Sequence, residues 1–231
     1  LFYCFKKMTV YREFVQSLKP RSEKASRFLL IFYLVGLAGF MIPATQDVFI
    51  CLTKWALLLN FILLMWFHEA AVRPGTFAVF AFIILAGIAI EIIGVKTGLI
   101  FGNYAYGDGL GIKVFDTPLL IGINWLMLTY CFASIIQPLK MPAVLKIFPA
   151  AAGMVAYDLV MEQTAPMLQM WTWEGGTIPL RNYLAWFATA LIFQSLIMGS
   201  RINLKNKLAV IILLCQFAFF FILMIYKLVL P

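Results

Sequence analysis

The chain has 231 residues, 64% of them hydrophobic and only 12% charged, with a mean hydropathy of +0.96 and a formal net charge of +8. Soluble domains are nearer half apolar and a quarter charged, so a water-soluble globular fold is excluded and lipid must solvate most of the surface. At roughly 20 residues per span, the length points to an all-α polytopic membrane helix bundle of about seven transmembrane helices.

Residues 1–27 carry seven of the 18 Lys and Arg and read as a basic cytoplasmic segment ahead of a single transmembrane domain over 28–231. No A-x-A-like site follows the first apolar run, so no cleavable signal peptide is expected, and Met8 reads as a candidate start. The first span is expected over 28–45, and the second over 49–68, closing on His68. The third, over 77–95, follows Arg73-Pro74-Gly75 and carries Glu91. Residues 96–116 break the apolar pattern with five glycines, Asn103, Tyr104, Tyr106 and Asp108, and read as a loop. Thr117-Pro118 has the form of a helix start, which predicts a fourth span over 117–137. The fifth, over 142–163, is the least apolar and holds Asp158 and Glu162. A second long loop, 164–182, contains Trp171, Trp173 and Asn182. The sixth and seventh spans are expected over 183–200 and 208–229.

The basic residues fall where membrane orientation puts them. With the N-terminus in the cytoplasm, 13 of the 18 Lys and Arg lie on the inner side. This pattern argues against a nucleic-acid partner, and both glycine- and aromatic-rich loops then lie outside. The single histidine, His68, excludes a multi-histidine metal site and reads as an interfacial residue. Cys4, Cys51, Cys131 and Cys215 show no ligand or CxxC spacing and read as small hydrophobes. The Gly107-Asp108-Gly109-Leu110-Gly111 run follows no strand, so it is not a nucleotide fingerprint.

Three carboxyls should not be in a membrane. An ionised carboxylate at mid-span costs about 2.5–3.5 kcal/mol on insertion scales. Asp158 and Glu162, four residues apart, share one helix face, and the span directions put Glu91 at the same depth. Such groups can be interfacial, solvated or paired with Lys96 or Arg181. Gathered in an apolar pocket, they can instead do general acid chemistry. Tyr104, Tyr106, Trp171 and Trp173 can form an interfacial belt or a cage for a long apolar or cationic ligand. Asn60 reads as helix–helix glue.

The stretch from Glu91 through Gly94, Gly98, Phe101, Gly102 and Tyr104 to Tyr106 resembles the signature of the membrane carotenoid biosynthesis proteins, which include CruF-type carotenoid 1′,2′-hydratases and bisanhydrobacterioruberin hydratases. The run from Val114 to Pro118 with Trp125, and the block Asp158 to Glu162, Trp171, Trp173, Ile178 to Asn182 and Trp186, are similar to the family's later segments. The resemblance implies hydration of the terminal double bond of an acyclic ψ end group, as in lycopene or γ-carotene, giving a tertiary alcohol without metal, nucleotide or redox cofactor. Asp158 or Glu91 would donate the proton, and Glu162 would tune it or activate water. Asn103, Asn124 and Asn182 would position that water. Tyr104, Tyr106, Trp125, Trp171 and Trp173 would stabilise the cation and grip the polyene. The alternatives are a carotenoid end-group cyclase or isomerase, and a non-catalytic carotenoid- or lipid-binding subunit. No inverted repeat supports a transporter. The expected location is the bacterial inner membrane, with membrane lipid around the bundle.

Overall fold

The computed structural model describes the backbone of residues 2–229 and the side chains from residue 21 to residue 229. Seven helices follow one another among the described residues: α1 Phe2–Met41, α2 Gln46–Trp66, α3 Pro74–Thr97, α4 Leu120–Ile136, α5 Ala143–Glu162, α6 Leu180–Gly199 and α7 Lys207–Val229. Six of these contain a stretch long and apolar enough to cross a membrane, that of α1 beginning at Arg21. The remaining helix, α4, has 17 residues and touches α2, α3, α5, α6 and α7. It is the central post of the bundle, and its short length suits an element enclosed by protein. The expected basic segment and Met8 fall largely on side chains outside the described residues.

Proline and glycine fix the helix ends more tightly than hydropathy does. α1 stops at Met41, not at residue 45, because Ile42 precedes Pro43 and is pushed out of the helical region. Thr45 Oγ1 donates to Gly39 O at 2.8 Å and closes the turn. α3 opens on Pro74 at its first position and ends on Gly98 in a left-handed cap (φ 63°). The expected helix start at Thr117-Pro118 is corrected: these two residues form strand β3, paired with β2, Lys113–Val114. The two-residue turn between them, Phe115-Asp116, has positive φ at both positions, which matches the right-handed twist of a hairpin. Lys96 pairs with Asp116 in that turn, and α4 begins only at Leu120.

The two long loops meet. Strand β1, Tyr104–Tyr106, pairs antiparallel with β4, Trp171–Trp173, in the register Tyr104↔Trp173 and Tyr106↔Trp171. Gly107 and Gly109 extend the zipper, donating to Met170 O and Gln169 O at 2.9 and 2.8 Å. A Cβ at Gly107 or Gly109 would lie 2.3 Å from a carbonyl oxygen of the facing segment. The glycine run therefore serves close backbone approach.

At the opposite end of the bundle, His68 is buried, with Nδ1 2.6 Å from Tyr130 Oη. Asn206 Nδ2 donates to Leu64 O and to Tyr130 Oη, tying the α6–α7 connection to α2 and α4. Burial holds the His68 imidazole below its usual pKa. Asn60 Nδ2 donates to Tyr33 Oη at 2.7 Å and joins α2 to α1. Cys51, Cys131 and Cys215 are free thiols.

α3 and α4 approach closely through two glycines. A Cβ at Gly87 would fall 2.9 Å from the Trp125 ring, and one at Gly122 2.5 Å from Ile84 O. Backbone cannot yield as a side-chain tip can, so Gly122→Leu is expected to destabilise the bundle by about 1–3 kcal/mol. Thermal unfolding in detergent measures this; an unchanged midpoint would show that the helices separate freely.

Candidate active site

The polar centre grows from the register of β1 and β4. Residues two apart on a strand share a face, so Tyr104 and Tyr106 stand on one side of β1, and Trp171 and Trp173 on one side of β4. Antiparallel pairing sets these four rings together. Tyr104 lies 5.1 Å from Trp173, and Tyr106 6.0 Å from Trp171, by ring centroid. The plate carries four polar hydrogens on its helix-facing side, and all four are used by carboxyls.

Glu91, near the end of α3, accepts from Tyr104 Oη at 2.6 Å and Tyr106 Oη at 2.8 Å on one oxygen, and from Trp125 Nε1 at 3.0 Å on the other. Glu162, the last residue of α5, accepts from Trp171 Nε1 at 2.8 Å, Trp173 Nε1 at 2.7 Å and Asn182 Nδ2 at 3.1 Å. The three carboxyls are 3% (Glu91), 0% (Asp158) and 3% (Glu162) exposed. They are neither solvated nor paired with Lys96 or Arg181. Asp158, one turn before Glu162, has a single contact to Asn182 Nδ2, at 3.4 Å. Its other oxygen is buried without a partner. Asn182 in the first turn of α6 thus bridges the two α5 carboxyls.

Burial first, and then the charge of Glu91, push the phenols of Tyr104 and Tyr106 well above the usual tyrosine range. Both remain donors at any working pH. Between Glu91, Glu162, Asn182 and the plate lies a space of about 10 Å³, closed by Phe101, Ile121 and Trp186. That is room for about one water molecule. Asp158 stands behind this wall, joined to it through Asn182.

Of the residues expected at a site, Glu91, Tyr104, Tyr106, Trp125, Asp158, Glu162, Trp171, Trp173 and Asn182 come together. Two do not. Asn103 is exposed, with Nδ2 donating to Glu174 Oε2 at 2.7 Å. Asn124 is buried in α4 beside Trp125 but is not among the hydrogen-bond partners of the carboxyls. Trp186 was not expected as a site residue. It stacks on Trp125 at 4.0 Å, with a 26° interplanar angle. Its place four residues after Asn182, on the same helix face, is the signal that could have found it.

A family model for carotenoid biosynthesis proteins matches residues 47–231, which include every member of this cluster. No curated protein and no solved structure matches the chain.

The burial of the phenols predicts a spectroscopic result. Exposed tyrosines ionise near pH 10, roughly, but Tyr104 and Tyr106 should not. Alkaline difference titration of folded wild type and of the Tyr104→Phe/Tyr106→Phe variant should give the same tyrosinate amplitude below unfolding. A smaller amplitude in the variant would mean that these phenols meet solvent.

Proposed function

Starting from the fact that this integral membrane chain belongs to the carotenoid biosynthesis proteins, we propose that it hydrates the terminal C1′,2′ double bond of an acyclic ψ end group, as in lycopene or γ-carotene. The observation that carries this reading is the unequal treatment of three buried carboxyls. Glu91 and Glu162 each face three donors, a set that suits the charged form, which only accepts. Asp158 faces one long contact and has a free oxygen, an environment suited to the neutral acid. Like charges on one helix face repel, so the Asp158–Glu162 pair holds one proton between its members.

The steps balance. Asp158 gives its proton to C2′ of the terminal C1′,2′ double bond, and the π pair forms the new C2′–H bond, leaving the positive charge on C1′. A tertiary cation results, for which the faces of Trp125, Trp186 and Trp173 offer π density and the Glu91 carboxylate offers charge. Water attacks the cation as Glu162 takes the water proton. Transfer of that proton from Glu162 to Asp158 restores the starting state, and the sum is alkene plus water giving tertiary alcohol. Asn182, bonded to both carboxyls, keeps their separation. A space for about one water does not admit a carotenoid end group, and Asp158 stands behind Asn182, so entry requires the aromatic plate to move aside and the Asn182 amide to swing off its long contact with Asp158.

The polar wall favours water capture over ring closure. A dry, wholly apolar chamber would let the cation react with its own polyene, which is the cyclase outcome. The placing of charges supports an N-cytoplasmic orientation in a bacterial inner membrane, with the cluster at the outer face and membrane lipid around the helices.

Expression in a lycopene-producing bacterium should yield pigments one or two waters heavier, and growth in H2(18)O should place the label in the tertiary hydroxyl. Unchanged or cyclised pigment, with folded protein present, would refute hydration. General acids contribute typically 10²–10⁴-fold. Asp158→Asn is therefore expected to lower product at least about a hundredfold with protein level retained, and wild-type turnover in that variant would remove Asp158 from the acid role.

A further inference from the structure

At the bundle end opposite the carboxyl cluster, the start of α3 and the end of α6 enclose a pocket of about 570 Å³. Two cations line it, Arg73 and Arg201. Both are exposed, and among the described residues neither has an ion-pair partner. The nearby carboxylate, Glu69, is already paired with Lys205 Nζ at 3.2 Å.

The backbone adds to the field of the arginines. Arg73 caps α3, and the first intrahelical bond runs from Phe77 N to Arg73 O. Pro74 has no N–H, which leaves those of Gly75 and Thr76 without helical acceptors at the positive end of a 24-residue helix. Nothing stands within 4 Å of where a Gly75 Cβ would be, so that end is open to the pocket. Thr76 lines the pocket at 6% exposure, and among the described residues its hydroxyl has no hydrogen-bond partner. Arg201 adopts φ 50°, a conformation uncommon for side chains larger than Asn or Asp. Ser200 and Asn203 complete the polar wall.

We propose that this pocket binds the phosphate group of an anionic phospholipid. Arg73 and Arg201 supply charge-assisted bonds, and the free N–H groups and hydroxyl at the start of α3 supply neutral donors. A lipid fits better than a soluble phosphate compound because the pocket lies where two membrane-crossing helices end, at the level of headgroups. The site is independent of the carboxyl cluster and of the hydration chemistry.

The test uses full-length protein, delipidated in neutral detergent at about 0.15 M salt, where long-range attraction is largely screened. Phosphatidylglycerol should raise the melting temperature saturably, and diacylglycerol of the same chains should not. Arg73→Gln/Arg201→Gln should weaken the apparent Kd about tenfold or more. Thr76→Val should weaken it less, and Lys207→Gln, a basic residue outside the pocket, should leave it unchanged. Undiminished protection in the double arginine variant, or equal loss in Lys207→Gln, would overturn the site. Protection by inorganic phosphate at the same concentrations would overturn the lipid assignment. Gel filtration of each variant confirms that it is folded.

Discussion

Three carboxyl groups set at one level of a lipid-facing helix bundle must be met by hydrogen-bond donors, and the architecture around them follows from that demand. All three are buried within the protein, and an unpaired buried charge costs several kcal/mol, roughly. The helices supply two of the donors, Trp125 on α4 and Asn182 on α6. The other four come from a ribbon of two three-residue strands whose register aims two phenols at Glu91 and two indoles at Glu162. A slip of one residue would turn all four rings away. The glycines that zip the ribbon onward, Gly107 and Gly109, thus help to hold the donors in register without touching the carboxyls.

Polarity is unequally shared in the result. Glu91 and Glu162 are saturated by donors, whereas Asp158 is nearly bare. The proposed protonation of an unactivated alkene would need this asymmetry. One carboxyl must part with a proton readily, and another must accept one soon afterwards, in a setting where bulk water cannot quench the cation. Trp186 lines the chamber and stacks on Trp125, whose indole donates to Glu91. The His68, Tyr130 and Asn206 bonds tie α4, which carries Trp125, to the end of α2 and to the connection before α7.

Much of this was legible in the chain. Hydropathy located the helices, since an apolar run of span length has few soluble alternatives. The i, i+4 spacing of Asp158 and Glu162 fixed their common face, and alternation of span direction brought Glu91 to their depth. The i, i+2 spacings of Tyr104 with Tyr106 and Trp171 with Trp173 made each pair a unit. The pairing of those units was not legible. Strands of three residues carry no periodicity to detect, and their partners lie more than sixty positions apart. Thr117-Pro118 misled because a proline that can open a helix can also sit in a short edge strand. Asn103 and Asn124 misled for a different reason: neighbouring residues face different ways, so sequence adjacency to Tyr104 or Trp125 says little about shared surroundings. Trp186 needed the helix period applied from Asn182.

The order in which the chain emerges bears on how the donor network can assemble. Glu91 enters the membrane with α3 before its Trp125 partner exists, and Asp158 and Glu162 are made before Trp171, Trp173 and Asn182. For an interval during biogenesis the nascent bundle carries acidic groups whose hydrogen-bond donors have not yet been made. Asn182, in the first turn of α6, is the last of these donors to be made, so substitutions there should burden membrane insertion and yield.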